Sequence, residues 1–87
     1  MFRKFLAASL IAGALPAAAF AAEGWTTGGV TVREGPGAGY KAIATAPKCA
    51  HVIRHAEDYG WVDVSWDGYR GWIPAEYLAA SNGHCGY

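Results

Sequence analysis

The residues of this 87-residue chain with chemistry to offer are two cysteines, three histidines and a dense set of tryptophans and tyrosines. His51 and His55 fall on one face of a strand-like run, two side chains apart. With His84 or Glu57 such a pair has the donor types for Zn or Cu. The compact Cys/His spacing of a structural metal site does not accompany them, and a His pair on an exposed strand is ordinarily solvated, so no metal and no cofactor is assigned. Hydrolysis or acyl transfer would need a nucleophile, a base and a group that orients the base. Cys49 follows Pro47-Lys48 in a turn-like context, with no Asn or Asp evidently placed to orient a His base. Glu57-Asp58 reads as a solvated turn rather than a catalytic carboxylate pair. The loop Gly35-Pro36-Gly37-Ala38-Gly39-Tyr40 places Tyr40 where a dinucleotide fingerprint needs its last glycine, and no Lys-Ser/Thr pair follows. It is a tight turn and not a phosphate cradle. The residue types therefore point to a protein that is not an enzyme.

The ends of the chain set the compartment. Arg3 and Lys4 precede an almost wholly apolar run from Phe5 to Leu15, Pro16 breaks it, and Ala19-Phe20-Ala21 supplies small residues at a cleavage site. This is the anatomy of a secretory signal peptide over 1–21, cleaved after Ala21, leaving no membrane span in the mature chain. All three Phe lie in that segment, so Trp and Tyr are the aromatics of the remainder. What is left carries five basic and seven acidic side chains, a mildly acidic balance without the clustered basic footprint that nucleic acid requires. A chain this short hides only about 60% of its unfolded surface. Export places Cys49 and Cys85 in an oxidising compartment, periplasmic or secreted, where a disulfide between them is expected. That bridge would close a loop of about 36 residues and stabilise the fold by roughly 3–4 kcal/mol.

The elements that must position these residues are short strands. Beyond Ala22 no stretch has a convincing 3.6-residue period, and β-rich runs alternate with Gly, Pro and Asp. Strands are expected at Val30 to Arg33, Ala42 to Ala46, Ala50 to Glu57, Trp61 to Trp66 and Tyr69 to Ile73. Asp67-Gly68 is a type I′ hairpin signal between the last two. Pro74-Ala75-Glu76-Tyr77 reads as a 3₁₀ turn before Leu78. Five short strands in so few residues imply an all-β fold, a small barrel or two packed sheets.

The segment Val30-Thr31-Val32-Arg33-Glu34-Gly35-Pro36-Gly37-Ala38-Gly39-Tyr40 resembles the opening of bacterial SH3 (SH3b) domains. Ile43 to Lys48, Tyr59 to Ile73 and the closing Tyr77-Leu78 resemble three further pieces of the same family, in order and with matching gaps. The resemblance covers Gly29 to Leu78. It implies a five-stranded SH3-like barrel with a 3₁₀ turn before its last strand, used as a non-catalytic recognition module in exported and cell-wall proteins. The layout is then a signal peptide at 1–21, a short linker at 22–28, the barrel at 29–79 and a tail at 80–87. Two positions depart from the family. Cys49 replaces a turn glycine, which suits a staple to the tail. Arg54 replaces a buried Val, so either its stem packs while its head reaches water, or the strand shifts and Ile53 turns inward.

Strand parity sorts the aromatics. Val62, Val64 and Trp66 form the apolar set of their strand, which leaves Trp61 facing outward with Asp63 and Ser65. On the return strand Ile73 is the natural core residue, so Trp72 and Pro74 face outward as well, with Tyr77 one turn later. Gly71-Trp72-Ile73-Pro74-Ala75-Glu76-Tyr77 also resembles the end of eukaryotic SH3 domains, where the positions matching Trp61, Trp72, Pro74 and Tyr77 line a groove for extended peptides. The other half of that groove is missing here, and Tyr40 stands in for part of it. The expected function is an exported, monomeric recognition module that binds an extended peptide of the cell wall or of an envelope protein through Tyr40, Trp61, Trp72, Pro74 and Tyr77. The alternative is a small exported structural or inhibitory subunit that buries its aromatic patch in one protein complex.

Overall fold

The computed structural model describes residues 21–86; the expected signal peptide lies, apart from its last residue, outside them. Seven strands follow in chain order: β1 (Ala22–Thr26), β2 (Val30–Arg33), β3 (Ala42–Ala46), β4 (His51–Asp58), β5 (Trp61–Trp66), β6 (Tyr69–Pro74) and β7 (Leu78–Ala79). A 3₁₀ turn at Ala75–Tyr77 separates β6 from β7, and a second at Gly83–Cys85 ends the described tail. All pairings are antiparallel, in the order β3-β2-β6-β5-β4-β1-β7. The five expected strands are all present, and so is the 3₁₀ turn after Pro74.

The turns follow from their residues. Asp67 and Gly68 both hold positive φ (51° and 84°), as do Tyr59 and Gly60 (51° and 81°). Two consecutive positive-φ residues are the type I′ signature, whose twist matches that of the flanking strands. These two turns fix the register of the β4-β5-β6 meander, with Trp61 opposite Pro74 and Trp66 opposite Tyr69. Alternation then buries Val62, Val64 and Ile73 beside Val30, Val32, Ala46, Ala50 and Val52 in a single small core. Gly71 is the point where β2 crosses β6. A Cβ there would come within 2.6 Å of the Arg33 carbonyl oxygen and 2.7 Å of a Val32 methyl, so only glycine permits this approach.

Two sequence expectations are revised, and one that stood open is settled. Residues 22–28, expected as a linker, contain β1, which pairs with β4 on one side and β7 on the other. Its buried positions are Gly24 and Thr26 rather than large apolar residues. Trp66, expected in the core set, is half-buried: it packs against the core but sits at the hairpin tip stacked on Tyr69. Arg54 takes the first alternative, and Ile53 stays outside the core, lining a surface hollow. A bulge between Arg54 and Ala56 shifts the β4–β5 register. The Arg54 stem lies over Gly24, where a Cβ would be 3.1 Å from Arg54 Cδ, and Nε donates to the Glu23 carbonyl at 3.1 Å. The side chain thus covers a glycine with its methylenes and satisfies its head at the surface.

Candidate functional site

Trp61 lies at the start of β5 and Pro74 at the end of β6, directly opposite each other. Both belong to the sheet face that Val62 and Ile73 do not occupy, so neither ring enters the core. Tyr77 arrives from the 3₁₀ turn, which two backbone bonds hold in place: Ala75 N–H donates to Gly60 O at 2.8 Å and Thr27 N–H to Tyr77 O at 2.8 Å. Together Trp61, Pro74 and Tyr77 form one wall of an open hollow of about 340 Å³. The opposite wall comes from Val30, Thr31 and Arg33 of β2 and from Ala38 of the following loop. The Arg33 guanidinium donates through Nη1 to the Tyr40 carbonyl at 3.0 Å, which ties that loop to the strand.

Of the five expected ligand-contacting residues, the fold brings Trp61, Pro74 and Tyr77 to one hollow and keeps the other two apart from its lining. Trp72 shares the outer face, half-buried in the middle of the sheet between Asp63 on β5 and Arg33 on β2. Tyr40 lays its ring over the backbone of its own loop. A Cβ at Gly35 would fall within 2.5 Å of the ring, and Gly37 is also against it. Its ring therefore packs against the loop, although half of the residue remains exposed. The wall from β2 was missed by sequence reasoning. The alternation of Val30-Thr31-Val32-Arg33 carried the signal that Thr31 and Arg33 face away from the core, but not which strand would lie opposite them.

Electrostatically the outer face is balanced. Arg70 grips Asp63 with two hydrogen bonds of 2.8 Å, through Nε and Nη2. Those bonds to the carboxylate hold the guanidinium above its ordinary pKa. The histidines that composition suggested for metal are dispersed. His51 stacks on Trp25 and lies 3.6 Å from Glu23, while His55 Nε2 meets Ser65 Oγ at 2.7 Å. His84 sits with Cys49 and Cys85, whose sulfurs are joined in a disulfide. In that bonded state the sulfurs are not thiolate ligands.

The disulfide organises the opposite corner. It ties the turn before β4 to the C-terminal 3₁₀ turn, residues 36 apart in sequence. Beneath it Thr26 is fully buried, with Oγ1 donating to Pro47 O at 2.6 Å and accepting from Ala50 N–H at 2.9 Å. Its carbonyl accepts from Cys49 N–H at 2.9 Å and lies 2.9 Å from His84 Nε2. A disulfide built into the fold fits an extracellular or envelope protein.

Comparison with known proteins agrees with this architecture. The profile of the bacterial SH3 domain matches residues 28–79. Over 49 residues the chain is 31% identical to the Bacillus subtilis (strain 168) protein YrvJ, named as an N-acetylmuramoyl-L-alanine amidase. The match takes in 56% of this chain but 10% of that protein, so the chain spans about a tenth of the relative's length. Among solved structures, NlpC2 from Trichomonas vaginalis superposes with a TM-score of 0.67 at 16% identity, over 71% of this chain and 24% of that one, a likeness of fold. By the family profile over most of its described residues and by the strand order that carries it, the chain belongs to the bacterial SH3 domain family.

Proposed function

We propose that this chain is an exported, non-catalytic and monomeric recognition module that binds an extended peptide of the cell wall in the hollow walled by Trp61, Pro74 and Tyr77. The observation that carries the reading is that hollow itself: two aromatic rings and a pyrrolidine along one side, a strand carrying Thr31 and Arg33 along the other. Flat apolar walls suit an extended backbone, which needs little further ordering when it docks. Arg33 spends one hydrogen bond on Tyr40, and its fork has further donors for a ligand carboxylate. Trp72 and Tyr40 border this surface rather than line it, and extend it only for a ligand longer than the hollow. Family membership supports the wall as target, and so does the relative's name, which describes a bond between a muramoyl sugar and an alanine.

The test is retention of the exported protein on purified sacculi, set against capture from envelope lysate. Retention on sacculi, with release by soluble wall stem peptides, is the expected result. Passage through sacculi together with stoichiometric recovery of one envelope protein would replace this reading with that of a subunit in a protein complex.

A further inference from the structure

We propose that a second hollow, at the other end of the β5–β6 hairpin, binds a hexopyranose ring of the wall's glycan strand between two pairs of stacked rings. The inference rests on the wall-binding reading and assigns that target a second contact. The hollow, of about 470 Å³, is lined by His51 and Ile53 of β4, by Ser65 and Trp66 of β5 and, past the Asp67-Gly68 turn, by Tyr69 and Arg70 of β6. Trp66 and Tyr69 are stacked, with centroids 5.9 Å apart and planes 19° apart. His51 is stacked on Trp25 at 4.9 Å and 16°. Each ring that meets the hollow is thus backed by another ring, which restricts its rotation before any ligand arrives. A ligand then immobilises little that was free.

The chemistry of the lining selects a sugar. Ring faces carry a negative quadrupole and attract the positively polarised C–H face of a pyranose. The hydroxyls at the sugar's edge need donors and acceptors around the ring, and Ser65, Asp67, Arg70 and His51 offer both. A small anion is disfavoured, because the Arg70 guanidinium is already held by Asp63 through two bonds. A purely aliphatic partner would strand these polar groups. The volume lies within the range of small-molecule sites. Trp61 and Ser65, which share one face of β5 and each line one of the two hollows, are four positions apart, about 13 Å at the strand rise. A peptide at one end of the hairpin and a sugar at the other are therefore compatible with one wall fragment that carries both.

The experiment titrates the exported, disulfide-bonded protein with peptide-free glycan strands and, separately, with stem peptides, reading the indole N–H signals by NMR. Glycan strands should shift the Trp66 indole and leave that of Trp61 in place. Tyr69→Ala and His51→Ala, both at exposed side chains, should each weaken glycan binding about tenfold, roughly 1.4 kcal/mol. An unmoved Trp66 indole, or unchanged affinity in both variants, would overturn the inference. Stem peptides that shift Trp61 while glycan shifts nothing would refute this site and leave the peptide groove standing. The reverse pattern would remove the groove and keep this site.

Discussion

Two corners of this small protein treat their polar and aromatic groups in opposite ways. At the Thr26 corner the polar groups that meet are spent on each other. Thr26 Oγ1 both donates and accepts, its carbonyl takes the Cys49 amide, and the Cys49–Cys85 bond closes the corner covalently. At the Trp61 corner the rings of Trp61 and Tyr77 and the Pro74 pyrrolidine stay partly exposed around a hollow, and Arg33 keeps donor capacity at its edge. Among the described residues, a core of eight small and medium side chains, none larger than Ile73, is slight for a fold that must also hold open an apolar groove. The staple supplies stability in one place so that the groove can forgo it in another. Each prediction below tests that division.

The largest effect belongs to the staple. Cys49→Ser with Cys85→Ser should lower unfolding free energy by about 3–4 kcal/mol, measured by urea denaturation, because a 36-residue loop regains its freedom in the unfolded chain. Binding per folded molecule should stay unchanged. Gly71→Ala comes next and breaks the division on purpose. Its Cβ would strike the Arg33 carbonyl and Val32, pushing β2 off β6 at a cost of about 3 kcal/mol. Since β2 carries the second wall of the groove, sacculus binding should fall together with stability. Thr26→Val keeps shape but leaves the Pro47 carbonyl and Ala50 amide with weaker satisfaction. A loss of about 1–2 kcal/mol is expected in denaturant melts, with binding intact. Asp63→Asn should be the mildest. It removes the charge from a bidentate pair whose arginine side is exposed, and thermal melts should show a small fall in Tm, less than that of Thr26→Val.

The strands β2 to β6 were legible in the sequence because their buried positions are apolar and their turns are written in glycine, proline and Asp-Gly. β1 was not. Its inward positions are Gly24, which makes room for the Arg54 stem, and Thr26, which is buried for its hydrogen bonds. No hydrophobic alternation marks such a strand, and only its partners β4 and β7 define it. The site divides along the same line. Trp61, Pro74 and Tyr77 follow from parity within one hairpin and its following turn, which is local information. The wall from β2 depends on the long-range crossing at Gly71, and the packing of Tyr40 on Gly35 depends on a loop closure that composition does not specify. Parity puts Trp66 in the core set, and it does pack against the core, but from the hairpin tip, where it is only half-buried.

The account turns most directly on Trp61. Its ring is half-buried on the outer face, so Trp61→Ala should fold with its disulfide intact. The decisive measurement is the sacculus-binding isotherm of that variant beside the wild type, after equal near-native melts have been shown for both. The account predicts at least about a tenfold loss of affinity, roughly 1.4 kcal/mol. A folded Trp61→Ala protein that binds sacculi as tightly as the wild type would contradict it.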